Sequence, residues 1–306
     1  MKTIIVCLSV WFGAQSMLAQ QSVQDLTAHL LALRSNPTLP LPKSVLNDAQ
    51  NESLLMSTIA PYIADSLEVI RGKAYSIIST IGQKSNVSAV RQLSVGYLVQ
   101  GIGDKSTGIS GSTSDALASF KKADFNNSAR TALADRLNEQ TAHLSQVVKL
   151  AGYIDETGYA EKISSILSTT NSKKNKWACR LALARMGDAA AIQYVVNRLS
   201  SASVNDDFMY VVLPDLLYTR NREVFRFIES IVQSDAYQCE PADPDASQKI
   251  LCAYRAMEYM APYIDGFPLH IDQSGTIEEK DYPQALQKLR KWLTANKEYK
   301  IKSDSY

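Results

Sequence analysis

The stretch Trp177–Leu199, WACRLALARMGDAAAIQYVVNRL, decides how this chain folds. Ile192, Val195, Val196 and Leu199 recur at the i, i+3, i+4, i+7 spacing of one helix face, and Trp177, Leu181 and Ala184 do the same on the segment before. Between the two stands Met186-Gly187-Asp188. Glycine takes the left-handed backbone that closes a helix, and aspartate accepts the free N–H groups that open the next one. The spacing therefore predicts two short helices folded back on each other. Such a hairpin cannot bury both apolar faces by itself and needs neighbours to complete its core.

The neighbours are visible at a shift of 33 residues in either direction. Leu150, Leu183 and Leu216 align, as do the capping positions Asp155, Asp188 and Asn221. Tyr159, Ile192 and Phe225 follow, then Ile166, Leu199 and Val232. Gly187 is not repeated, since Ile154 and Arg220 occupy its place. The match thus lies in apolar spacing and caps. A period of this size predicts a solenoid of helical hairpins.

A second recurring element places a base after a branched or small residue and a small residue three positions on. It occurs as IRGKAYSIISTIG from Ile70, VRQLSVGYLVQGIGD from Val90 and ARTALADRL from Ala129; before Trp177, Lys176 replaces the arginine. In these segments the chain resembles the HEAT-repeat family, especially its short lyase-type repeats, with Asp104 and Asp188 at the aspartate that closes the motif. The resemblance covers Ser66 to Val232, with irregular spacing and a long insert between Asp104 and Ala129. It implies an all-α fold, a right-handed α–α superhelix, whose inner helices offer a concave surface. Arg71, Arg91 and Arg130 are expected to lie over the neighbouring repeat and bond a carboxylate, as long basic side chains do.

The first twenty residues, MKTIIVCLSVWFGAQSMLAQ, carry Lys2, an apolar run from Ile4 to Gly13 and small residues up to Ala19. That is the layout of a secretory signal peptide, and the run is too short to span a bilayer. Lys2 is the only charge before Asp25, so its removal leaves basic and acidic residues equal at 31 each. A chain without net charge has no general attraction to nucleic acid or to an anionic membrane. With the leader removed, Cys179, Cys239 and Cys252 remain. Cys179 reads as core. Cys239 and Cys252 bracket a loop and either bridge or stand as two shielded thiols.

The expected organisation is a signal peptide at 1–20, an extended proline-containing lead-in at 21–43 and a helical repeat domain at 44–299. Loops are expected at 101–115, 234–247 and 266–281. Helices are expected from Ser44 to Ile59, from Ser66 to Ile81 with Asp65 or Ser66 as cap, from Ser247 to Ala261 and from Pro283 to Ala295. The run GIGDKSTGISGSTSD, Gly101 to Asp115, invites comparison with a phosphate-binding loop but lacks its glycines at Val99 and Asp104. The acidic run SDAYQCEPADPDAS, Ser234 to Ser247, lacks the pattern of a calcium loop.

His29, His143 and His270 are not paired at metal-ligand spacing, and no nucleophile motif is present. His270 beside Asp272 is the only acid–base pairing in view. The expectation is a non-catalytic exported scaffold or adaptor, without cofactor or metal, that binds a protein or peptide partner. The leader and low cysteine count point to a bacterial envelope, periplasmic or extracellular. The candidate contacts are the irregular loops, at Asp104, Lys105, Tyr237, Glu240, Asp243 and Asp245. The alternatives are an all-helical hydrolase or lyase of envelope glycans and a glycan-binding module. The leader makes a direct prediction: intact mass of the exported protein places its first residue at Gln20 or Gln21, and a mature chain that keeps Met1 contradicts it.

Overall fold

The structure is a computed structural model that describes residues 21–155, 158–243, 245 and 247–306. The expected leader lies outside the described residues. The fold is all-α: fifteen α-helices and one two-stranded ribbon make up the regular structure among the described residues. None of these helices is long and apolar enough to cross a membrane. The chain divides into two compact units, 21–150 and 151–306, with the boundary inside one helix.

The first unit holds α1 (residues 21–32), α2 (Lys43–Leu46), α3 (Glu52–Ile59), α4 (Glu68–Lys84), α5 (Ser88–Gly101), α6 (Thr107–Leu117) and α7 (Asn127–Asp135). In this unit α4 packs on α5, and α5 on both α6 and α7. The helix α8 (Leu144–Ile154) contains the boundary. The second unit continues with α9 (Tyr159–Thr169), α10 (Lys173–Arg185), α11 (Ala189–Leu199), α12 (Leu213–Tyr218) and α13 (Arg222–Gln233). It closes with β1 (Tyr237–Cys239), β2 (Ile250–Leu251), α14 (Cys252–Met260) and α15 (Tyr282–Ala295). Here α10 packs on α9, α11 and α12, while α13 packs on α11, α12, α14 and α15.

The α10–α11 hairpin forms by the two devices its sequence carries. Gly187 has φ +89°, and the Asp188 N–H returns to the Leu183 carbonyl at 3.0 Å. The Asp188 carboxylate then accepts the Ala191 N–H at 2.7 Å. The same turn recurs between α12 and α13 without glycine. Arg220 takes φ +50°, and Asn221 accepts from Glu223 and Val224. The left-handed region costs a non-glycine residue about 1 kcal/mol, so the Arg220 side chain must hold it there. Asp155 departs from the pattern. It is itself left-handed at φ +56° and ends α8, and Gly158 takes the N-cap position of α9.

The aligned apolar positions Leu150, Leu183, Leu216, Tyr159, Phe225, Ile166, Leu199 and Val232 are all buried; Ile192 is half-buried.

In the first unit the period reappears as cross-links. Arg71 at the start of α4 makes a two-pronged bond to Asp104, 33 residues on, with both contacts at 2.8 Å. Both side chains are about 95% removed from water, at 5% and 6% exposure. Arg91 at the start of α5 repeats the bond to Asp124, again 33 residues on and 2.8 Å long. Arg130 donates to the Phe125 and Lys122 carbonyls. The Arg71 guanidinium and the Ser106 N–H hold the Asp104 carboxyl below its ordinary value, against the opposing effect of burial.

Several expectations are overturned. Residues 21–32 are helical, not extended: Leu26, Leu30 and Leu33 share one face and are fully buried, and the proline run acts only after Asn36. The Ser44–Ile59 helix is broken, because Asp48 takes the Asn51 N–H in a local turn. Of the run 101–115 only 102–106 is a connection. From Thr107 it is α6, and its small residues serve close packing. A Cβ on Gly101 would lie 2.6 Å from the Thr113 methyl, and the Ser110 hydroxyl donates to the Ile102 carbonyl at 2.7 Å. Ser247 does not cap a helix; the chain runs through β2 and α14 begins at Cys252. The closing helix spans Tyr282–Ala295, and its Arg290 donates to the Val232 and Ser234 carbonyls at the end of α13.

Removing Arg71 leaves a buried carboxylate without its cation, so Arg71→Met is expected to cost about 3 kcal/mol, the low end for a broken buried pair. Adding Asp104→Asn, which keeps an acceptor for Ser106, should return at least ~1 kcal/mol of that. Because the Asp104 carboxyl is lowered in the fold, the pair's contribution is complete above the ordinary carboxyl range and is lost as pH falls through the lowered value. Urea melts at neutral and acid pH should show the wild-type advantage over the double variant shrinking below about pH 4.

Candidate functional site

A cleft of about 700 Å³ lies in the second unit, lined by α10, α11, the 201–207 connection and the start of α12. Its floor is apolar: Leu199, Phe208, Val211, Val212 and the Trp177 ring. Its rim carries Arg198, Ser201, Ser203, Asn205, Asp207 and Asp215.

Each wall has a local cause. Trp177 is on the helical stripe that the sequence assigns to packing, yet it is only half-buried. Its indole N–H donates to Asp215 at 2.7 Å, which fixes the ring as a wall. The Arg198 guanidinium lies 5.7 Å from the ring centre, within the range where a cation is attracted to an aromatic face. Opposite, Phe208–Val212 form a π-helical turn in which the Leu213 N–H reaches back five residues to the Phe208 carbonyl. Pro214 follows and has no N–H to donate. The widened turn buries Phe208 and Met209 and pushes Tyr210 and Val211 outward, at 52% and 69% exposure. Such single π turns occur often at functional sites.

The disulfide ribbon braces the connection beside the cleft. Cys239 and Cys252 are bonded, and β1 pairs antiparallel with β2. The Glu240 N–H donates to Asp206 at 2.7 Å. Arg255 stands 3.1 Å from the same carboxylate, a contact of charge without an aligned hydrogen bond. Arg255 also lies over the Tyr210 ring at 5.0 Å. The 234–247 run thus ties the segment that carries Asp206 and Tyr210.

The sequence-predicted contacts fall as follows. Asp104 is spent on Arg71, and Lys105 is exposed beside it in the first unit. In the second unit Tyr237 is 64% exposed on β1. Glu240 pairs with Lys249 at 3.1 Å, and Asp243 accepts the Asp245 N–H. None of these six lines the cleft. His270 pairs with Glu278 at 2.7 Å, not with Asp272, whose carboxylate is held by Ser274 and Thr276. Cys179 is a buried free thiol, pushed up to about 12 by burial. Among the described residues no cluster of three or more histidine, cysteine, aspartate or glutamate side chains could hold a metal.

Sequence reasoning missed Trp177, Asp215 and Val211 as one site. The available signals were a tryptophan two residues before the buried Cys179 and the run Tyr210-Val211-Val212 ahead of a proline. Neither reveals that residues 38 apart meet.

No protein-family model matches the chain, and a search of curated proteins finds no match.

The ribbon makes the next test. Reducing a bridge that closes a separation of 13 residues should cost about 3 kcal/mol. Cys239→Ser/Cys252→Ser is expected to lower the urea midpoint accordingly and to raise hydrogen exchange in the 201–212 segment. Unchanged exchange there would show that the ribbon does not brace the cleft.

Proposed function

We propose that the chain is an exported, HEAT-like scaffold that binds a protein or peptide partner, with the second-unit cleft as its contact. The observation that carries this reading is the Trp177 ring, pinned by Asp215 at the wall of an apolar floor with a mixed polar rim. An apolar floor with a few fixed polar groups is the usual make-up of a ligand pocket. Tryptophan, tyrosine and arginine are the residues that most often anchor such contacts. Tyr194 and Tyr210 are exposed in the same unit, with Arg180 over the first at 4.5 Å. The Arg–Asp bonds at 33-residue separation support the HEAT-like part of the reading.

One observation favours a second reading. Asp207 and Asp215 line the same cleft, and a pair of carboxylates is what glycoside hydrolysis requires. Asp215 is engaged by the indole N–H, which leaves Asp207 as the group that this alternative must use.

A displayed-peptide selection against residues 21–306, followed by calorimetry of the enriched sequences, tests both. Peptides are expected to bind the wild type and to bind Trp177→Ala and Val211→Asp at least tenfold more weakly, with helix content unchanged by circular dichroism. Enriched peptides indifferent to both variants would overturn the cleft. Turnover of envelope glycan that Asp207→Asn abolishes would replace the scaffold with the hydrolase.

A further inference from the structure

In the second unit, apart from the cleft, residues 303–306 cross a pocket of arginine and tyrosine. The path into it is fixed. Residues 300–302 run beside 263–265: the Asp265 N–H donates to the Lys300 carbonyl at 3.0 Å and the Lys302 N–H to the Tyr263 carbonyl at 2.9 Å. Beyond Lys302, four consecutive main-chain oxygens are taken by three side chains. Arg185 donates to Ser303 at 3.3 Å and Ser305 at 2.7 Å, the Tyr153 hydroxyl to Asp304 at 2.9 Å, and Arg220 to Tyr306 at 2.8 Å. The side chains of this segment contribute little, except the last. The Tyr306 ring packs against Tyr153 and Tyr218, with centroids 5.8 and 5.5 Å away. Arg185 in turn lies over both of those rings, at 5.1 and 4.8 Å. Ser303, Asp304 and Ser305 are exposed.

This pocket is costly to build. Two guanidinium groups are brought together, and neither forms an ion pair with a side-chain carboxylate of the described residues. Burial, and then the charge of Arg185, lower Arg220 to about 10. The Arg220 backbone is left-handed where the neighbouring hairpin uses glycine. Strained backbone gathers at ligand clamps and switch regions. An extended main chain supplies much of what these cations bond: the Ser303 and Ser305 oxygens for Arg185 and the Tyr306 oxygen for Arg220. The pattern reads backbone at four positions and an aromatic ring at one.

We propose that the Tyr153–Arg185–Tyr218–Arg220 pocket is a receptor for an extended peptide segment with an aromatic residue after small polar ones, and that residues 303–306 are its tethered competitor. The intended ligand is a segment of a partner protein with this chemistry, which displaces 303–306. A tethered segment acts at an effective concentration in the millimolar range, so the full chain should resist weak peptides and accept strong ones. The inference does not rest on the cleft, because none of these four residues lines it.

The test uses a fluorescent peptide of the sequence Ile301–Tyr306, IKSDSY, titrated into a chain that ends at Lys302 and into the full chain. The shortened chain is expected to bind it at least tenfold more tightly than the full chain. An Ala-for-Tyr306 peptide should lose at least tenfold. Arg220→Gly in the shortened chain keeps the left-handed turn and should lose binding by a similar factor, whereas Trp177→Ala should not change it. A shortened chain of wild-type helix content that does not bind would overturn the proposal, as would equal binding by both chains or indifference to Arg220→Gly. If shortening prevents folding, the full chain with Tyr306→Ala is titrated instead: uptake of the peptide supports the receptor, and no uptake overturns it.

Discussion

A helix of about three turns buries one stripe, and a hairpin of two such helices still leaves a stripe exposed to water. Everything regular in this protein answers that constraint. Within each unit helices pack on their neighbours, and in the first unit an arginine at a helix start is twice bonded to an aspartate 33 residues later. Those bonds are buried on one or both sides, so they fix register as well as adding attraction. A shift of one repeat element would strand an unpaired charge in the core.

The second unit meets the same constraint with different parts. Gly187 closes one hairpin and Arg220 closes the next in the same left-handed conformation. The glycine turn is structurally cheap and carries no side chain. The arginine turn is strained, and its guanidinium reaches Tyr263 at 3.9 Å and the 305–306 main chain. The place where the repeat breaks its own rule is therefore a place where a side chain is used. The π turn before Pro214 is a second break of this kind, and it forms one wall of the cleft. The two proposed recognition sites both sit on such irregularities.

Small residues misled the reading of the sequence for a definite reason. Gly101 to Asp115 is rich in glycine and serine, which in isolation favours turns. In the fold the same residues let helices approach closely, and the serine and threonine hydroxyls are satisfied by carbonyls of the helices themselves, as with Ser114 and Ser110 at 2.8 Å. Composition cannot separate a flexible loop from a thin, tightly packed helix, since both want small side chains. The same holds at 21–43, where the prolines after Asn36 suggest extended chain while Leu26, Leu30 and Leu33 form a buried helical stripe.

Spacing within a few turns of chain is enough to specify the α10–α11 hairpin, the caps at Asp188 and Asn221 and the burial of all the aligned apolar positions but Ile192. Which residues meet 33 positions apart follows from how the helices pack. Asp104, expected as a partner contact, is the buried partner of Arg71; Trp177, expected on one helix face with Leu181 and Ala184, is a cleft wall held by Asp215. Residues 303–306 meet Tyr153 about 150 positions away. Contacts at such separations follow from how hairpins stack, and no local pattern encodes them.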